Sequence, residues 1–219
     1  MSIGILSCVW QRPERLDLSL GWLSSQTNRD WHLYLINNNY ELRGFITDVV
    51  GGYSLPITII HNAENRGPFA RLEVAHEYAE EHSHFMTLDD DLNFGPGLLE
   101  SWHKQKSDEV RGWNGFRFKV GYWDRDEVAP GEECDYLWGS NLLFPAGVAA
   151  DDRITDLDRK YWQCDDLYLC YVANHLLGVT LRKADIDVSV NRDGKDTFKD
   201  HRSTKWLFLE ELRGRGWEV

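Results

Sequence analysis

The sequence predicts an α/β fold with a mostly parallel central sheet flanked by helices, and three observations carry that expectation. Short apolar runs alternate with helical patterns through the first half of the chain. The first run, Ile3 to Val9, is almost continuously apolar, as strands covered on both faces tend to be. The fourth, Phe85 to Leu88, drives straight into Asp89-Asp90-Asp91, and ligands of parallel sheets bind beyond the carboxyl ends of strands.

The elements follow in order. After Ile3–Val9, Pro13 sits where a helix can begin, and Leu16, Leu20 and Leu23 recur at helical spacing. Apolar runs at Leu33–Ile36 and Ile57–Ile60 read as the next two strands. Ala70 to Glu81 carries Val74, Ala75, Tyr78 and Ala79 on one helical face, and Phe85–Leu88 follows as the fourth strand. Such alternation means βαβ units. The second half is less regular. Gly115 to Gly121 alternates Phe116, Phe118 and Val120 with Arg117 and Lys119, the pattern of a half-exposed strand. Asp165 to Leu177 reads as a helix closed by Gly178, Val179–Leu181 and Ile186–Val190 as short strands, and Ser203 to Arg213 as a terminal helix ended by Gly214. We expect a single domain over residues 1–219, with a nucleotide-binding half at 1–94 and an acceptor-binding half at 95–219.

Composition narrows the class. With 24 basic against 36 acidic residues the net charge is −12, which argues against a nucleic-acid partner held by bulk electrostatics. Cys8, Cys134, Cys164 and Cys170 show no CxxC spacing, so free thiols in a reducing compartment are expected. No apolar run approaches the roughly 20 residues of a membrane span, and MSIGILSCVW reads as a first strand rather than a signal peptide. The expectation is a cytoplasmic enzyme without an integral membrane segment.

Three adjacent carboxylates raise one another's pKa unless a cation neutralises them. Hard oxygen ligands suit Mg2+ or Mn2+, which take a couple of carboxylates plus phosphates and water. A solvated acidic loop is the plainer reading, and the position after a buried strand favours the metal. A second pair, Asp165-Asp166, opens a helix, where acidic residues are favoured on dipole grounds alone. A carboxylate there could also deprotonate a hydroxyl nucleophile.

At this point a family resemblance enters. WQRPERLDLSLGWLSSQTNRDWHLYLINNN resembles the opening of family 2-type GT-A glycosyltransferases, and HNAENRGPFARL resembles their N-x-x-N-x-G segment. HFMTLDDDLNF resembles the DxD motif, and WQCDDLYL the later E-D motif. The four landmarks stand in the family's order across roughly residues 3 to 178; the last forty residues match none of them. The resemblance implies a GT-A (Rossmann-like) domain, a nucleoside-diphosphate sugar donor with UDP-sugars first, a divalent cation (Mn2+ or Mg2+), and a glycan or other hydroxyl acceptor. Carried onto this chain, Asp91 and Asp89 hold the metal and Asp89 and Asp90 face the donor. Asp166 is the base, with Asp165 in place of the Glu. Ser7, Cys8, Val9, Arg12 and Arg66 line the nucleotide. Trp138-Gly139-Ser140-Asn141 falls where relatives present a loop to donor sugar and acceptor, so Trp138 and Gly139 join the donor site. His201, in DHRST, lies where some relatives place a metal-binding His.

One departure stands out. Asn37, Asn38 and Asn39 replace the acidic residue usual after the second strand; an amide can read a base edge, so beside the uracil donors that the resemblance implies, thymine and guanine donors stay open. Trp113, Trp123 and Trp162, among ten tryptophans, are candidates for an acceptor groove. Two other classes compete: a nucleotidyltransferase, against which SCVWQRPER lacks the Gly-rich triphosphate loop, and a non-catalytic carbohydrate-binding module.

Overall fold

The computed structural model describes residues 2–90, 92–93, 95–186, 189–190 and 202–219. Among the described residues twelve strands run in chain order: β1 Ile3–Val9, β2 Trp31–Asn37, β3 Ile57–His61, β4 His84–Leu88, β5 Leu92–Asn93, β6 Val110–Gly112, β7 Gly115–Phe118, β8 Arg125–Glu127, β9 Tyr136–Leu137, β10 Leu142–Pro145, β11 Leu181–Lys183 and β12 Ser189–Val190. The helices are α1 Leu16–Ser25, α2 Arg43–Gly51, α3 Ala70–Glu77, α4 Leu98–Lys104, α5 Ala146–Ala149, α6 Asp165–Tyr171 and α7 Arg202–Gly214.

Seven strands form the central sheet in the order β11-β6-β10-β4-β1-β2-β3. β1 pairs in parallel with both β2 and β4, and β3 extends the parallel run from β2. β10 alone runs against its neighbours, antiparallel to β4 and β6. The carboxyl ends of β1 to β4 therefore share one edge, and the loop entering β10 arrives at that same edge. β7, β8 and β9 make a separate antiparallel ribbon.

The period of two along each strand divides the core between the faces of the sheet. Ile3, Ile5, Leu33, Leu35, Met86 and Leu88 pack on the side of α1, α2 and α4. Leu6, Tyr34, Ile36, Phe85 and Phe144 pack on the other, with Leu72, Val74 and Ala75 of α3 and Leu167 to Tyr171 of α6. Burial on both faces is why β1, β2 and β4 read as near-continuous apolar runs, whereas β3 at the sheet edge is half-buried.

Several element bounds differ from the pattern read in sequence. Pro13–Arg15 is a 3-10 turn, and α1 begins only at Leu16. α3 ends at Glu77, where Tyr78 leaves helical geometry. α6 gives way after Tyr171 to a π turn over Val172–Leu176, closed by Gly178 at φ +68°. The strand at Gly115 stops at Phe118, leaving Val120 exposed. β11 lies two residues later than expected. The four cysteines are free, with Cys134, Cys164 and Cys170 buried and Cys8 half-buried. Among the described residues no helix is long and apolar enough to cross a membrane.

Candidate active site

The edge formed by the carboxyl ends of β1 and β4 collects the charged residues. β4 ends at Leu88 and delivers Asp89 and Asp90 into the opening. The turn after β1 brings two cations to meet them: Arg12 donates to Asp90 Oδ1 at 2.5 Å, and Arg15 Nε donates to the Asp90 carbonyl at 2.9 Å. Arg71, in the first turn of α3, reaches across. Its Nη1 donates to Asp89 Oδ1 at 2.7 Å, while Nη2 and Nε donate to Asp165 Oδ2 at 2.7 and 3.2 Å. One guanidinium fork thus ties the first carboxylate cluster to the second.

Asp165 and Asp166 open α6 and point to different neighbours. Burial raises the Asp165 pKa, Arg71 opposes that shift, and the net direction is upward. Asp166 is also buried, but the Lys205 ammonium and its hydrogen bonds outweigh the burial and its pKa is lowered. Lys205 Nζ, from α7, lies 2.9 and 2.7 Å from the two Asp166 oxygens. Tyr136 donates to Oδ2 at 2.5 Å and the Leu167 amide to Oδ1 at 2.8 Å. The Tyr136 hydroxyl also meets that of Tyr122 at 2.9 Å.

The loop entering β10 joins the two sides. Ser140 donates to Asp89 Oδ2, and Thr87 donates to the Gly139 carbonyl at 2.6 Å. A Cβ on Gly139 would stand 2.9 Å from that of Asp166, so a side chain there would displace the carboxylate. Asn141 follows in the left-handed region at φ +57°, fully buried, with both amide atoms lacking a hydrogen-bond partner. A non-glycine residue in this region carries backbone strain that the surrounding packing must hold.

The β1 end supplies Ser7, Cys8 and Val9. Ser7 and Val9 line a small cavity with Arg12 and Asp90. Burial pushes the Cys8 thiol up to about 12, which favours the protonated form. At the β2 end the amides of Asn37 and Asn38 are spent on the chain itself. Asn37 bonds His61 and the Asn39 amide; Asn38 bonds the Gly67 carbonyl and Asn62. Arg66 pairs with Glu73 and lies 4.9 Å over the Trp162 ring. Gly67, at φ +61°, makes the turn beside them, where a Cβ would stand 2.8 Å from Gln163.

Asp91 and His201 lie outside the described residues. The expected acceptor tryptophans separate. Trp162 stacks on Phe69 at the Arg66 loop, and Trp113 packs on the α1 and α4 side. Trp123 lies edge-on to Tyr122. Trp138 packs against Phe116 beside Gly139. Arg71, Tyr136 and Lys205 are not singled out in the sequence as site residues, and Ser140 enters there only as a member of the Trp138–Asn141 loop. Arg71 stands five residues after Arg66 inside a recognised segment, whereas nothing local marks Lys205.

Asp89 offers hard oxygens with its side chain 35% exposed, which suits Mg2+ or Mn2+. Among the described residues no group of three His, Cys, Asp or Glu closes around a metal ion. The network is close to balanced, with Asp89, Asp90, Asp165 and Asp166 against Arg12, Arg15, Arg71 and Lys205. An added diphosphate would need further positive charge.

No family model and no curated protein sequence matches the chain. Solved structures do match. A Pyrobaculum calidifontis mannosyltransferase, PcManGT, in complex with GDP-Man and Mn2+ aligns over 96% of this chain and 64% of its own, at 12% identity and TM-score 0.66. S. aureus TarS 1–349 in complex with UDP-GlcNAc aligns over 89% of this chain and 60% of its own, at 13% identity and TM-score 0.60. This is the fold of the GT-A glycosyltransferases. The chain spans less than two thirds of the length of either structure, and at these identities the likeness is one of fold.

Proposed function

We infer that the chain transfers a sugar from a nucleoside-diphosphate sugar to a hydroxyl acceptor. The observation that carries this reading is the convergence of Asp89-Asp90 and Asp165-Asp166 at the carboxyl edge of a parallel sheet, bridged by Arg71 and by the Gly139–Ser140 loop. Nucleotide sugars in the PcManGT and TarS complexes support the donor class, and Mn2+ in the former supports a divalent cation.

The first half would hold the nucleotide, with Ser7, Cys8, Val9 and Arg12 along one wall and the Asn37–Asn38 turn and Arg66 along another. Asp89, with Asp91 beside it in sequence, would hold the cation, and His201 is a further candidate ligand. A bound divalent cation would neutralise the charge that builds on the departing diphosphate. Arg12 and Arg71 would hold Asp90 and Asp89 in place as the donor enters. The Gly139–Ser140 loop would present its backbone between donor and acceptor. One carboxylate of the Asp165-Asp166 pair, Asp166 by resemblance, would take the proton as the acceptor oxygen attacks the anomeric carbon. The C–O bond to diphosphate breaks with its electron pair on the leaving group, so displacement inverts configuration.

A thermal-shift panel of UDP-, GDP- and dTDP-sugars, with and without Mn2+, tests the reading. The true donor should stabilise only with the metal, by about 2.7 kcal/mol at a hundredfold excess over Kd. No response to any nucleotide sugar under either condition would reject it, and would leave a non-nucleotide binding module in its place.

A further inference from the structure

We propose that Lys205 is a positioning residue that grips the Asp166 carboxylate by both oxygens and releases one of them to the acceptor hydroxyl. This rests on the reading of the carboxylate pair as the base for sugar transfer. A carboxylate has about four lone-pair positions, and Asp166 fills them: Lys205 on both oxygens, Tyr136 on Oδ2 and the Leu167 amide on Oδ1. A hydroxyl that is to give its proton to Asp166 must displace one of these donors. The Leu167 amide is fixed in the first turn of α6, and Tyr136 is fully buried among Phe116, Phe118 and Tyr122. Lys205 alone holds two of the four bonds through one rotatable ammonium, so it can surrender one and keep the other.

The second observation is placement. Lys205 is 4% exposed on a helix whose next residues, Trp206 and Leu207, are 38% and 60% exposed. A buried ammonium on that helix needs a carboxylate partner, and α7 delivers it to Asp166 over the Tyr122 ring at 5.5 Å. The groups that act on Asp166 are Lys205 from α7 and Tyr136 from β9, with Asp165, Cys164 and Cys170 beside it in the chain; Arg125 acts on Tyr136 from the β7–β8 ribbon. Lys205 is the cation on the Asp166 carboxylate itself. In the step itself the acceptor O–H bond breaks, its proton passes to Asp166, and its oxygen bonds the anomeric carbon as diphosphate departs. Lys205 keeps its own proton throughout.

The test follows the Asp166 carboxyl by 13C NMR in full-length wild type, Lys205→Met and Lys205→Arg, with Lys205→Gln as the variant of choice if the Met form fails to fold. Removing the ammonium should raise the Asp166 titration midpoint by about 1–3 pH units. Lys205→Arg should hold it near the wild-type value. The acid limb of kcat/KM should move upward by the same amount in Lys205→Met. An unmoved Asp166 midpoint in a folded neutral variant overturns the proposal. A shifted midpoint in a protein that transfers no sugar to any acceptor sustains the Lys205 contact and counts instead against the transfer reading.

Discussion

Asp165 and Asp166 are neighbours in sequence, yet they belong to two differently built halves of the site. On one side Arg71 spans Asp165 and Asp89, and Asp89 is about a third exposed, so the fork joins a buried carboxylate to one that faces the opening. On the other side Lys205, Tyr136 and the Leu167 amide enclose Asp166 completely. The titration directions diverge accordingly, with Asp165 raised chiefly by burial and Asp166 lowered because Lys205 outweighs its burial. Two carboxylates with similar burial thus differ through the geometry of one cation. A planar guanidinium shared between two anions leaves oxygens for a ligand, whereas an ammonium on both oxygens of Asp166 covers that carboxylate until one contact is released.

The largest effect should come from Arg71→Met. It strands Asp165 without its cation in a buried setting, which costs about 3–5 kcal/mol. For a chain of this size that corresponds to a fall in Tm of roughly 6–20 °C, read by thermal or urea unfolding. Arg71→Lys should recover part of the loss, because a point charge can serve one carboxylate but not bridge two. A loss below about 1 kcal/mol would mean that Asp165 is neutral in the folded chain, and the contrast between the halves would collapse.

How much of this contrast was legible in the sequence follows from the range of the interactions. The four parallel strands, the carboxylates after β4 and the acidic start of α6 are local patterns, and each stands where its pattern put it. β10 was missed because LLFP is too short to show alternation beside a helix start. The pairing of Asp166 with Lys205 joins residues 39 apart across a helix interface. In sequence Lys205 is one of several basic residues among acidic ones, and only the packing of α7 singles it out. Asn37 and Asn38 show the reverse case. Their amides suggest base recognition in sequence, whereas in the fold they brace the turns around His61 and Gly67.

A middle-sized effect sharpens the closed half. Tyr136→Phe removes one hydrogen bond to a buried, ionised carboxylate, a loss of about 1.5–3 kcal/mol near neutral pH. The sign of its pH dependence is fixed by Asp166. A carboxyl with a lowered folded pKa contributes stability above its unfolded value, here 3.8, and loses it as pH falls through the folded value. The gap between wild type and Tyr136→Phe in urea midpoint should therefore be widest near pH 7 and narrow below pH 3.8. A gap that is constant from pH 7 to pH 2 would show that Tyr136 acts through ring packing and not through Asp166.

The smallest effect on stability belongs to Asp89→Asn, and it bears most directly on the open half. Asp89 is partly solvated, and Arg71 keeps Asp165 when Asp89 loses its charge. Arg71 is buried but Asp89 is about a third open to water. The pair sits near the upper end of the roughly 0–1 kcal/mol that exposed pairs contribute, so the variant should unfold within about that margin of wild type. Its metal-dependent response to a nucleotide sugar should nevertheless disappear, because an amide is a poor ligand for a hard divalent cation. Each half of this expectation can fail separately. A loss above about 2 kcal/mol, beyond what an exposed pair contributes, would make Asp89 a structural strut of the Arg71 fork, and the opening would then be as closed as the Asp166 side. An unchanged Mn2+-dependent shift in a stable Asp89→Asn protein would move the cation off Asp89. The donor diphosphate would then have to be held by Arg12 and Arg15 at Asp90, one residue further along the same loop.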